Sequence, residues 1–195
     1  MTSAREEILG AIRKASPAAR PLPVVPRFEE GWPATVEDFG RALAILGGTV
    51  ERPEGELGAW IRARYLEDPL ICSAVREVRG DLDPRAFASA RDAERIGVAV
   101  VRAAFGVAET GSVFLSEREL PFISIAYLAQ HLVVLLDPSR IVPNLHSAYA
   151  RPEFQGARYS VLMTGPSATA DIQGVLVRGA QGVRSLTVVF SPGPS

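Results

Sequence analysis

The chain has 195 residues, 47% of them apolar and 22% charged, which is ordinary usage for a globular protein able to bury a sizeable core. Its 21 Lys and Arg balance 22 Asp and Glu, so there is no field to hold a phosphate backbone or an anionic bilayer, and nucleic acid and membrane surfaces are poor partners. The single cysteine, Cys72, allows no internal disulfide, and one thiol cannot hold an iron–sulfur cluster, which normally takes about four.

The chain begins with Ser3 and Glu6 at capping-box spacing, followed by Ile8, Leu9 and Ile12 on one helical face. This start is amphipathic and lacks the apolar segment of a secretory signal, and no apolar run reaches the ~20 residues of a membrane helix, so a cytoplasmic protein is expected. Pro17, Pro21, Pro23 and Pro26 forbid helix interior and ladder pairing alike and read as an extended linker. The boundary therefore falls near residue 30, with a helical extension at 1–30 and one α/β domain at 31–195.

Thr35 and Asp38 repeat the capping-box spacing, Val36, Phe39, Leu43 and Leu46 keep helical period, and Gly47-Gly48 supplies a stop. A third helix is expected over 56–65, from the stripe of Leu57, Trp60 and Ile61. From Leu70 the texture changes to short β-branched or leucine-rich runs at 70–72, 98–101, 113–115, 132–136, 161–163 and 186–190. The run at 131–136 is apolar throughout, as in a strand covered on both faces, and helical segments fit between several runs. The pattern predicts an α/β fold with a mostly parallel sheet and flanking helices.

The most informative turn is 164–171, where a strand runs into Gly165-Pro166 and small hydroxyl residues precede an apolar, helix-like segment. The free N–H groups of a helix start, with Ser167 and Thr169 beside them, suit a phosphate or carboxylate at the edge of a parallel sheet. The plainer alternative is that Ser167 or Thr169 only caps that helix, with Asp171 favouring its positive end. A serine-hydrolase elbow at Ser167 is disfavoured, because Thr169 replaces the final glycine and both histidines, His131 and His146, precede the serine. The stretch from Gly106 to Ser112 lacks the lysine of a phosphate loop and leads into a strand, so it reads as a tight bend. Glu109 is exposed there, as an acid–base residue or as a solvated turn residue. Two histidines without cysteine or glutamate partners at ligand spacing indicate no metal site, and no dinucleotide fingerprint occurs. Asn144 and His146, just past a strand, are expected on the same edge as Thr164.

Four stretches together resemble one known family, the lactate utilisation protein C family or LUD-domain proteins. They are Ala108-Glu109-Thr110-Gly111-Ser112, Pro143-Asn144-Leu145-His146, Gly165-Pro166-Ser167-Ala168-Thr169-Ala170-Asp171-Ile172 and the tail from Gly174 to Gly182. The resemblance spans roughly residues 70–190. It implies a fold similar to that of ribose-5-phosphate isomerases and coenzyme A transferases, and a role in oxidising L-lactate to pyruvate beside iron–sulfur proteins. In that picture this chain binds no cofactor by itself, and the partners hold the clusters. A small anion or nucleotide-like ligand would be bound by Thr110, Gly111, Asn144, His146, Thr164, Gly165, Ser167, Thr169 and Asp171. The alternative is a stand-alone isomerase or acyl/CoA-transferase-type enzyme using Glu109. The family tail usually carries a histidine where this chain has Gln181, which can exchange hydrogen bonds but not take up a proton at neutral pH.

Overall fold

Ser3 starts α1 (Ala4–Ala15) as its spacing predicts: Ser3 Oγ accepts from the Glu6 N–H at 3.3 Å, and the Glu6 carboxylate accepts from the Ser3 N–H at 2.8 Å. No residue of α1 is buried, and Ile8 and Ile12 stand 61% and 58% exposed. The helix belongs to a small unit, Met1–Glu30, and the remaining elements form the second unit, Gly31–Ser195. This computed structural model describes residues 3–17, 20–21, 23–24, 26, 34–170 and 174–193.

The second unit opens with α2 (Val36–Ile45), where Thr35 Oγ1 accepts from the Asp38 N–H at 3.0 Å. The helix ends as the glycine pair predicts. Gly47 takes a φ of +85°, its N–H donates to the Ala44 carbonyl, and the Gly48 N–H donates to the Leu43 carbonyl, which together make a Schellman motif. Strand β1 (Thr49–Glu51) follows, then α3 (Leu57–Arg64), capped by the Glu56 carboxylate on the Gly58 and Ala59 N–H groups. The chain continues through β2 (Ile71–Ser73), β3 (Val98–Arg102), β4 (Phe105–Val107), β5 (Ser112–Ser116), α4 (Ile125–Leu128) and β6 (His131–Leu136). It closes with β7 (Ile141–Val142), α5 (Leu145–Tyr149), α6 (Pro152–Gln155), β8 (Ser160–Met163), β9 (Ala168–Thr169), β10 (Val177–Arg178) and β11 (Ser185–Phe190).

Five strands form a wholly parallel sheet in the order β1-β11-β6-β3-β2. Alternate residues of its central strands feed different cores. Val98 and Val100 of β3 and Val133 and Leu135 of β6 pack with Ile61 of α3, while Ala99, Val101, Leu132, Val134 and Leu136 pack with Phe39 and Leu43 of α2. That double burial explains the uninterrupted apolar run of β6. Each fully buried Val, Leu or Ile side chain there contributes about 1.5–3 kcal/mol of transfer free energy.

A second, mixed sheet in the order β7-β4-β5-β8 packs Val113 and Leu115 onto the α2 side of the first. Its outer face, with Phe105, Val107 and Phe114, is covered by Ala148 of α5 and Phe154 of α6. Two of the six runs expected in a parallel sheet, those that became β5 and β8, lie in this second sheet and pair antiparallel with each other. β5 is buried at every position, as a central parallel strand would be, and periodicity does not distinguish the two. Cys72, set among Leu70, Ile71, Ala74 and Val75, is fully buried, and burial, with the nearby Asp83 charge, pushes its thiol up to about 12. Among the described residues no helix is long and apolar enough to cross a membrane.

Candidate functional site

β4 and β5 form a hairpin whose turn carries Glu109, Thr110 and Gly111. Gly111 sits at φ +66° where α2 crosses the turn, and a Cβ there would fall 2.1 Å from the Leu43 backbone nitrogen, so glycine alone fits. The same is true of Gly165, at φ +72°, whose Cβ would lie 2.4 Å from the Leu46 carbonyl oxygen. Two motif glycines far apart in sequence are thus both spent on receiving the last turn of α2. Between them runs a chain of hydroxyls: Thr110 Oγ1 lies 2.6 Å from Ser112 Oγ, and Ser112 Oγ in turn hydrogen-bonds Thr164 Oγ1. Ser112 is buried, and pairing of β5 with β8 at Val113 and Met163 brings Thr164 to it.

Glu109 is exposed and its carboxylate accepts from the Leu145 N–H at 3.0 Å, while its own N–H donates to the Pro143 carbonyl at 3.0 Å. Asn144, 3% exposed, caps the same helix start, with Oδ1 accepting from the Ser147 N–H at 2.9 Å. Glu109 and Asn144 therefore satisfy the opening N–H groups of α5. Beside them lies a pocket of about 410 Å³ walled by Ala108, Glu109, Pro143 and by Asp38, Arg41 and Ile45 of α2.

Among the described residues no helix follows the 164–167 turn, so none offers its N-terminus to an anion there. Ala168–Thr169 instead pairs antiparallel with Val177–Arg178, and glycines at φ +71° (Gly174) and +73° (Gly179) flank β10. A β-branched, glycine-punctuated stretch prefers a hairpin to a helix, and that preference outweighed the apolar spacing read as helical. Ser167 is built into the hairpin's base: its hydroxyl donates to the Gln181 carbonyl at 2.9 Å and its N–H to the Val183 carbonyl at 3.0 Å. Nor does Thr164 lie on the parallel sheet, since β8 is an edge strand of the second sheet. His146 is exposed on α5, and Asp171 falls outside the described residues. The structure thus joins Glu109, Thr110, Gly111, Asn144, Thr164 and Gly165 through hydrogen bonds and packing, and leaves Ser167 and Thr169 in a separate hairpin.

A further cavity, at the carboxyl edge of the parallel sheet, is not indicated by the sequence motifs. Where β2, β3, β6 and β11 end, a cleft of about 720 Å³ is lined by Arg85, Arg102, Arg118 and Arg140, with Glu119, Asp137 and Glu153 between them. Ligands of open parallel sheets gather at this edge. Most of these charges also tie the strand exits together. Arg102 donates to the Ser191 carbonyl at 3.1 Å and pairs with Glu77, Arg140 donates to the Ala104 carbonyl and pairs with Glu153, and Asp137 accepts from the Gly193 N–H at 3.0 Å. Hydrogen bonds from Arg151, acting against burial, hold the Glu153 carboxyl down to about 2, and the Ser139 hydroxyl with the Gly193 N–H lowers Asp137. Among the described residues no carboxylate is paired with the Arg118 guanidinium. The signal for this cleft was present in the chain, as arginines just past apolar runs at 102 and 140.

Comparison with known proteins agrees with this architecture. The chain is similar to a solved structure of a DUF162 family protein from Deinococcus radiodurans, with a TM-score of 0.58 at 14% identity over 80% of this chain and 94% of that one, a likeness of fold. No curated protein matches it. A family model described as LUD domain matches residues 55–191, and the chain belongs to the LUD-domain family, the domain found in lactate utilisation-related proteins.

Proposed function

We propose that this chain is the clusterless subunit of an L-lactate-to-pyruvate oxidation system, working with iron–sulfur partner proteins, and that it binds a small carboxylate or phosphate in the carboxyl-edge cleft. The observation that carries the ligand site is the convergence of four arginines on a cavity of about 720 Å³ at that edge, one of them, Arg118, with no carboxylate partner among the described residues. Guanidinium groups recognise carboxylate and phosphate through paired N–H donors, and a partly enclosed cleft screens them less than open water does. Family membership supports the lactate context. The one thiol, buried and held protonated, is unsuited to ligate iron, so clusters would sit on partners.

Two measurements test the two halves. L-lactate, pyruvate or inorganic phosphate should raise the melting temperature of the purified chain, and Arg118→Ala should weaken the binding at least ~10-fold. No shift with any of the three anions would remove the cleft as an anion site. Tagged chain, purified anaerobically from its native cells grown on L-lactate, should bring iron-containing partners and lactate-dependent dye reduction with it. A clean, iron-free preparation without dye reduction would remove the subunit reading.

A second reading, a stand-alone isomerase or acyl-transferase using Glu109, draws on the placement of that carboxylate in the wall of the 410 Å³ pocket near Arg41. It requires turnover by the purified chain alone, lost in Glu109→Gln.

A further inference from the structure

The opposite, amino edge of the parallel sheet holds a second cavity, of about 560 Å³, walled by Arg64, Tyr65, Asp68, His131, Ser185 and Thr187 among others. Ser185 and His131 open neighbouring strands in direct register, and His131 Nδ1 lies 2.7 Å from Ser185 Oγ. On the other side of the ring, His131 Nε2 lies 3.1 Å from Asp68 Oδ2.

In the neutral ring these two contacts fix the tautomer. A carboxylate only accepts, so Nε2 carries the proton toward Asp68, and Nδ1 is left with a lone pair facing the serine hydroxyl. Tyr65 lies against the imidazole at a 32° tilt, with ring centroids 4.6 Å apart, and its hydroxyl is held 3.0 Å from Thr187 Oγ1. Asp68 is fixed from behind by Gly97, where a Cβ would fall 2.2 Å from the Asp68 carbonyl oxygen, and Gly97 also accepts from the His131 N–H at 2.9 Å.

We propose that Ser185 is a nucleophile, with His131 as its general base and Asp68 orienting the ring, and that the cavity accepts a small acyl ester or thioester. The volume suits a small molecule. The chain order Asp68, His131, Ser185 is one in which such triads recur on unrelated folds, and roles rather than positions define them. The serine here faces Nδ1 and the carboxylate Nε2, the reverse of the usual assignment, with one partner again on each nitrogen. In the reaction Ser185 Oγ attacks the acyl carbon as its proton passes to Nδ1. The C–O or C–S bond to the leaving group breaks, and the imidazolium returns the proton to that alcohol or thiol. Water, deprotonated by His131, then attacks the acyl-serine and releases the carboxylic acid and the free hydroxyl. Arg64, on the same wall, lies 3.4 Å from the Glu51 carboxylate and would exchange that partner for a developing oxyanion.

A fluorophosphonate probe tests this on the full chain: Oγ attack forms an O–P bond and expels fluoride, leaving a stable adduct. Peptide mass spectrometry should find stoichiometric adduct on Ser185, and p-nitrophenyl acetate should be hydrolysed with a burst. Ser185→Ala should lose the adduct. His131→Gln, which keeps a polar group at that position, should slow labelling at least ~100-fold. Absence of adduct on the native wild-type chain, adduct spread over other serines, or labelling of Ser185 indifferent to His131→Gln would each overturn the proposal.

Discussion

The two ends of one parallel sheet are finished in different chemistry. At the carboxyl end the strand exits are laced by charges: Arg102 with Glu77, and Arg140 and Arg151 on Glu153. At the amino end the strand starts are joined by an imidazole between a hydroxyl and a carboxylate, and by a Tyr65–Thr187–Thr49 hydroxyl chain. The same strands, β6 and β11, run from one to the other. Loops that leave a sheet and wander need long side chains to reach and fasten them, which arginine provides, whereas register-paired starts are already in contact and need only short groups. The contrast predicts that the carboxyl edge answers first to acid and salt, while the amino edge answers first to shape.

The sharpest way to break the amino edge is therefore steric. Gly97→Ala drives a methyl group into the Asp68 backbone, 2.2 Å away, and should cost about 3 kcal/mol in urea unfolding, since backbone cannot yield as a side chain tip does. A cost under about 1 kcal/mol would show that the 65–70 loop shifts freely. Titration sharpens the carboxyl edge. The Glu153 carboxyl is lowered from 4.5 to about 2, so its stabilisation is fully present above about pH 4.5 and is lost as pH falls toward 2. Wild-type stability should drop by of order 2 kcal/mol more than that of Glu153→Gln across that window, read from urea midpoints at each pH, and parallel curves would refute the clamp. The smallest effect is expected from Ser185→Ala, about 1 kcal/mol for one hydrogen bond. That loss should be the same in dilute buffer and at 1 M salt, where ionic contacts fade, because the bond joins two groups without opposite charges. A loss that grows at low salt would mean that the two edges do not differ as described.

Much of the site's local wiring was legible in the chain and its assembly was not. The Glu109 bend and the close-packed glycines announced themselves through turn chemistry, and Gly111 is explained by α2 pressing on it. The hydroxyl chain from Thr110 to Thr164 could not be read, because it depends on β5 pairing with β8 across 52 positions of sequence. The 164–171 turn was misread for a related reason: local apolar spacing permits a helix, and only the partner strand Val177–Arg178 selects a hairpin.

The sequence by itself determined what short-range forces decide: the caps at Ser3 and Thr35, the Gly47 stop, the doubly buried run of β6 and the family carried by the motifs. Tertiary structure alone decided which strands joined which sheet, that Glu109 would cap α5, that arginines from four segments would meet in one cleft, and that Asp68, His131 and Ser185 would align. The reason is separation along the chain. A cap or an alternating run is fixed by residues three or four apart, whereas a cavity is made by side chains whose contact depends on how every intervening element packs.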